Sequence, residues 1–172
     1  MDFESYIRDI PDWPKEGVMF KDITPLLANP EVFKATIDTF AAAYAKAGVT
    51  KVMGAEARGF IFGGALAYCL GAGFVPARKP GKLPWNTKSV SYDLEYGTDT
   101  LEMHQDAVGK GSRVLIVDDL LATGGTAAAA ARMVRDAGGT VVGIGFVVEL
   151  TFLNGRRKLA GYDVFSLLEY DS

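Results

Sequence analysis

Val114-Leu115-Ile116-Val117-Asp118-Asp119-Leu120-Leu121-Ala122-Thr123-Gly124-Gly125-Thr126 is the stretch on which the reading of this chain turns. Four consecutive apolar residues, Val114–Val117, predict a central strand. Asp118 and Asp119 stand at its expected exit, and two adjacent carboxylates repel each other unless a ligand or cation shares them. The vicinal hydroxyls of a ribose offer two donors at a suitable spacing. Ala122, Gly124 and Gly125 are small, so backbone N–H groups there can converge on an anion where the next helix begins. Thr123 and Thr126 add hydroxyl donors, and the positive end of the helix dipole favours the same charge. The parts agree on a cradle for a ribose 5-phosphate, against the plainer reading of a polar β–turn–α connection.

Outward from this stretch, helices and strands alternate. Toward the N-terminus we expect a short helix over residues 3–9 ended by Pro11, and an ordered loop from Asp12 to Pro25 with a brief extended piece at Val18–Phe20. A helix then runs from Pro30, at its first position, to Gly48. A strand at Lys51–Gly54, a helix at Phe60–Leu70 stopped by Gly71 and a strand at Gly73–Ala77 follow. Residues 78–90 are basic, rich in turn formers and carry Trp85, which predicts a mobile loop with an exposed Trp. Strands are expected at Ser91–Tyr96 and Thr100–His104, turning at Gly97–Thr98. Beyond the central stretch come a helix at Thr126–Ala137 and strands at Thr140–Glu149 and Asp163–Leu168. This order predicts an α/β domain with a largely parallel sheet. Ligands in such sheets sit beyond the carboxyl ends of the strands, which directs attention to residues 55–59, 78–90, 118–125 and 149–154.

At 172 residues the chain suits one domain over 1–172, and 49% hydrophobic residues suffice for a sizeable core. A formal charge of −3 provides no overall field to draw it onto nucleic acid or an anionic membrane. Cys69 is the single cysteine and His104 the single histidine, too few for a disulfide framework or a structural zinc site. Cys69 reads as a small core residue, and His104 receives no chemical role. The opening MDFESYIRDI lacks the sections of a signal peptide, and no apolar run is long enough to span a bilayer, so the cytoplasm is the expected location.

Competing phosphate and nucleophile motifs are missing. Gly81-Lys82 is followed by Leu83 and lacks the glycine of a P-loop, no G-x-G-x-x-G follows a strand, and there is no G-x-S-x-G elbow.

Val114–Thr126 resembles the phosphoribosyl-diphosphate (PRPP) signature of the type I phosphoribosyltransferases. Three further segments resemble the adenine-using branch of that family: Pro14–Thr24 as its base-binding stretch, Glu56-Ala57-Arg58-Gly59-Phe60 as its diphosphate loop, and Arg78–Pro84 with Tyr92–Gly97 as its flexible loop. The likeness runs from about residue 6 to residue 169. It implies the α/β fold of that family: a mostly parallel central sheet flanked by helices, an N-terminal hood over about 1–28 and a flexible loop over about 78–96.

The implied reaction joins adenine to PRPP, giving AMP and diphosphate. The resemblance assigns the ribose diol to Asp118 and Asp119, and the 5′-phosphate to Ala122, Thr123, Gly124, Gly125 and Thr126. Ala57, Arg58, Arg78 and Lys82 would bind diphosphate, with Arg58 also serving catalysis and the Glu56–Ala57 peptide expected to be strained or cis. Phe20 would stack on the base, the backbone of Met19 and Lys21 would read its edge, and Leu150 would pack on it. Glu95 is the candidate acid/base at purine N7, with Tyr96 positioning it. Magnesium would be held mainly by diphosphate and water, with no named protein ligand. A homodimer is the family expectation.

Overall fold

The computed structural model describes residues 1–94 and 97–172. After a single 3₁₀ turn at Glu4–Tyr6, β1 (Arg8–Ile10) pairs antiparallel with β2 (Phe20–Asp22). The expected helix over 3–9 is therefore replaced by a turn and a strand. So short a segment cannot offset helix nucleation by itself, whereas pairing with β2 brings an Arg8–Asp22 ion pair at 3.6 Å and a Lys21–Asp9 pair at 2.8 Å. Within the expected 12–25 loop, β2 and the start of α1 (Thr24–Ala28) are ordered elements.

Helix α2 (Pro30–Tyr44) starts as its sequence dictates: Asn29 Oδ1 accepts from the N–H groups of Glu31 and Val32, both at 3.1 Å, and Pro30 follows the cap. It ends at Tyr44, before Gly48, in tightened turns in which the Ala45 N–H donates to the Ala42 carbonyl at 3.5 Å and the Ala47 N–H to the Tyr44 carbonyl at 3.0 Å. The Ala47 carbonyl beyond it accepts from the guanidinium of Arg113 at 3.0 and 2.7 Å. Next come β3 (Lys51–Ala55), α3 (Gly59–Leu70) and β4 (Gly73–Ala77). Gly71 closes α3 in the left-handed conformation, at φ +63°.

β5 (Thr87–Asp93) and β6 (Thr98–His104) form an antiparallel hairpin in the register Val90↔Leu101. Residues 87–90, expected in a mobile loop, belong to this hairpin, because Val90 is an inward position buried opposite Leu101. β7 (Arg113–Leu121), α4 (Gly125–Asp136), β8 (Thr140–Leu150) and β9 (Val164–Tyr170) complete the chain.

Five strands form one parallel sheet in the order β4-β3-β7-β8-β9, with β7 in the middle. Its strands are apolar on both faces because both are covered. Val114 and Ile116 join the core under α4 and the hairpin, with Met53, Met103 and Met133. Leu115 and Val117 join the core under α2 and α3, with Phe40, Phe62 and Leu66. This burial fixes β7 at the sheet centre and delivers its carboxyl end, with two aspartates, to the rim. Cys69, expected in the core, is exposed: it lies on the outer side of α3. Among the described residues no helix is long and apolar enough to cross a membrane.

Candidate active site

Strand β7 does not stop at Val117. Pairing with β8 continues through Leu120↔Val148 and Leu121↔Glu149, so Asp118 and Asp119 lie inside the strand rather than at its exit. β8 is long enough to keep the ladder going, and the local sequence of β7 carries no sign of that. Both aspartates nevertheless border one cavity of about 290 Å³, together with Glu56, Ala57, Arg58, Lys79, Tyr92 and Thr126.

Asp119 is buried and pairs with Arg58 Nε. Asp118 Oδ1 accepts the Asp119 N–H at 2.9 Å and lies against Gly59, where a Cβ would stand 2.9 Å from it. Burial, and then the neighbouring Asp119 charge, push the Asp118 carboxyl well above the ordinary aspartate value. The guanidinium beside them is taken up by Asp119.

Beyond β7 the chain turns through Ala122–Gly124 into α4 around a smaller cavity of about 90 Å³, lined by Asp118 and Leu120–Ala127 among others. Gly124 caps α4 at φ +81° and has no side chain with which to cap it. The first N–H groups of the helix, at Gly125, Thr126 and Ala127, therefore have neither an intrahelical nor a capping side-chain partner. That is the arrangement an anion needs. A Cβ on Gly124 would stand 2.4 Å from the Gly155 carbonyl, so the turn keeps its shape against the segment after β8. Gly155 is a supporting residue that no sequence motif marks.

The turn after β3 carries Glu56, Ala57 and Arg58, and the Glu56–Ala57 peptide is cis as the resemblance implies. Glu56 accepts from the Lys79 backbone N–H and from Arg78 Nη2 at 3.3 Å. Burial alone would raise its pKa, but these donors hold it below the ordinary glutamate value.

Two of the residues expected to bind diphosphate stand outside the cavity lining. Arg78 does not line the 290 Å³ cavity; it is spent on Glu56, on the Lys82 carbonyl at 3.4 Å and on the Phe60 ring 5.8 Å away. Lys82 does not line it either, whereas Lys79, which reads as a solvated loop cation, does. Lys79 stands two residues past the end of a parallel strand, and that position is the signal that could have found it.

On the hood side, Met19, Lys21 and Leu150 line a more apolar cavity of about 340 Å³ with Phe152 and Leu153. Phe20 is separated from them: strand alternation turns its ring toward Arg58, 5.7 Å away, and edge-on to Trp13 at 4.4 Å. Lys21 Nζ is held by Asp9 at 2.8 Å and lies over the Tyr170 ring, which leaves its backbone facing the hood cavity. Glu95 and Tyr96 lie outside the described residues. His104 Nε2 accepts the Trp85 N–H at 3.4 Å and has a local structural role.

A carboxylate pair at the centre of a parallel sheet faces a guanidinium across one cavity, and an uncapped helix start borders the next, an arrangement suited to a ligand that carries both hydroxyl and anionic groups. The family model described as Phosphoribosyl transferase domain matches residues 22–167. A curated adenine phosphoribosyltransferase of Solibacter usitatus is 66% identical over 99% of this chain and 98% of its own length. The crystal structure of adenine phosphoribosyltransferase from Thermoanaerobacter pseudethanolicus superposes with a TM-score of 0.95 at 55% identity, covering 98% of each chain. The Giardia lamblia enzyme complexed with 9-deazaadenine gives 0.92 at 37% identity, over 99% of this chain and 97% of that one. The chain belongs to the phosphoribosyl transferase family, and within it to the adenine phosphoribosyltransferases.

Proposed function

We propose that this enzyme transfers the 5-phosphoribosyl group of PRPP to N9 of adenine in purine salvage. The observation that carries the reading is the pairing of Asp118 and Asp119 with the uncapped start of α4 around adjoining cavities. The bond from C1′ to diphosphate breaks, and diphosphate leaves with the electron pair. The C1′–N9 bond forms, and the purine gives up one proton.

Asp118 and Asp119 hold the ribose hydroxyls and stabilise the positive charge that develops on the ring. The N–H groups of residues 122–126 and the hydroxyls of Thr123 and Thr126 hold the 5′-phosphate. Arg58, facing both Asp119 and Phe20, exchanges its carboxylate partner for diphosphate when substrate arrives. Ala57 and Lys79 border the same space. Phe20, beside Arg58, supplies the stacking face for the base, the backbone of Met19 and Lys21 reads its edge, and Leu150 packs on it. Glu95 is assigned the purine proton on sequence grounds.

A magnesium ion brought in with the diphosphate would meet the hard carboxylate oxygens of Asp118 and Asp119, although no group of three such side chains that could hold a metal is found among the described residues. When bound it neutralises charge on the leaving group. It would be held mainly by substrate and water, beside those two aspartates.

We place the enzyme in the cytoplasm, because its phosphorylated substrates do not cross membranes unaided. We further assign a homodimer. Helix α3, GFIFGGALAYCL, has no charged residue, and Ile61 and Tyr68 on its outer face are 42% and 88% exposed. A helix apolar all round is normally covered, and a second copy presents a matching apolar face.

The test is a panel of adenine, guanine, hypoxanthine, xanthine and orotate, each supplied with PRPP and magnesium, with nucleotide formation measured. AMP from adenine alone is expected. Equal use of hypoxanthine rejects the specificity.

A further inference from the structure

Tyr92 has no part in the roles above, yet it lines the cavity of the two aspartates and touches the start of α4. Its ring packs on Gly125, where a Cβ would stand 3.2 Å from Cδ2. Its hydroxyl lies 3.2 Å from Thr126 Oγ1 and 3.3 Å from Asp99 Oδ2. Asp99 is also paired with Lys79 Nζ, so its carboxylate offers acceptors only.

Proton counting then links the directions of these bonds. A phenol has one proton, and a carboxylate can only accept it, so Tyr92 donates to Asp99. With the phenol proton on Asp99, the contact with Thr126 is made by the Thr126 hydroxyl donating to Tyr92, one of the two directions it allows. Threonine also has a single proton, and a phosphate oxygen is an acceptor that would need that same proton. While the phenol proton stays on Asp99, Thr126 cannot donate to both phosphate and Tyr92, so a bound phosphate costs Tyr92 one of its two hydrogen bonds.

We propose that Tyr92 is a positioning residue that competes with the substrate's 5′-phosphate for the Thr126 proton, so that filling the cradle unties β5 from α4. This rests on the assignment of Thr126 to the 5′-phosphate. It predicts a sign that a merely supportive contact does not: removing the Tyr92 hydroxyl tightens binding of phosphorylated sugar, because the competing acceptor is gone. Tyr92→Phe keeps the ring on Gly125.

The experiment measures ribose 5-phosphate affinity by calorimetry and amide hydrogen exchange over residues 87–93. Tyr92→Phe should bind ribose 5-phosphate about fivefold more tightly, the factor expected for one net hydrogen bond. In the unsubstituted enzyme, exchange over 87–93 should quicken when ribose 5-phosphate is added; in Tyr92→Phe it should be fast throughout. Equal or weaker binding by Tyr92→Phe overturns the proposal. So does unchanged or slower exchange in the unsubstituted enzyme, a measurement that needs no variant to fold. Thr126→Val separates the two layers. If it binds ribose 5-phosphate as well as the parent, the phosphate assignment itself fails. If it binds more weakly while Tyr92→Phe shows no gain, only the competition is wrong.

Discussion

Asp118 holds its proton more firmly than a free aspartate does, first because it is desolvated and then because Asp119 stands beside it. A carboxyl whose pKa rises on folding contributes stability at low pH and loses it as pH climbs from the ordinary value of 3.8 through the folded one. At neutral pH the ionised form is therefore a burden to the empty enzyme. Asp118→Asn should raise the melting temperature at pH 8 by about 2–4 °C, as expected for a gain near 1 kcal/mol in a domain of this size. The gap to the parent should narrow toward pH 4. The same change should weaken PRPP binding at least tenfold, about the worth of one charge-assisted hydrogen bond. Melting curves at the two pH values, with a PRPP titration, check this; a variant that melts lower at pH 8 contradicts it. Charge held at a cost in stability is common where a ligand is to supply the counterion.

At the scale of elements, the carboxyl ends of β8 and β9 are clamped by Glu149. It is buried, accepts from Arg156 Nε at 2.8 and 2.9 Å, and accepts from Ser166 on β9. Arg156 belongs to the same turn as Gly155, which backs the Ala122–Gly124 bend. The clamp thus ties two strands to the support of the phosphate cradle. Burial pushes the Glu149 carboxyl up, but the Arg156 and Ser166 hydrogen bonds outweigh it and leave the pKa below the ordinary 4.5. The unfolded chain then takes up the proton first as pH falls, so this contribution is whole above about pH 4.5 and is lost below it. Glu149→Gln should cost roughly 2 kcal/mol at pH 7, as for a hydrogen bond to a charged group. It should also flatten the acid side of the stability profile. Urea midpoints at pH 7 and pH 4 give the comparison, and equal losses at both would remove the ion pair from the account.

On the scale of the whole molecule, the proposed homodimer is tested at the outer face of α3. Arg58 is the residue just before α3, so a second copy seated on that helix would lie close to the diphosphate loop. Tyr68→Glu, at a position 88% exposed, should leave the chain folded but monomeric. Light scattering reads the mass and circular dichroism the fold. A parent protein that is already monomeric at micromolar concentration would refute the dimer, and a dimer that survives the substitution would move its interface elsewhere.

The sequence by itself determined the parallel α/β order, the strand–Asp-Asp–Gly-Gly stretch, the helix start at Pro30 and the helix stop at Gly71, because these are written in residues close together along the chain. That Ala122–Thr126 lead from strand to helix beside Asp118 and Asp119 was legible for the same reason. What only the tertiary structure decided depends on partners distant in sequence. β8 draws β7 on past its aspartates, β2 takes residues 8–10 from a helix, and Val90 pairs into a hairpin where turn-forming residues suggest a loop. Arg78 against Lys79, the Phe20 ring against the Met19–Lys21 cavity, and Tyr92 between Asp99 and Thr126 are choices of side-chain direction. Such choices are settled by which neighbours folding brings within hydrogen-bonding or packing reach, and local sequence holds no record of those neighbours.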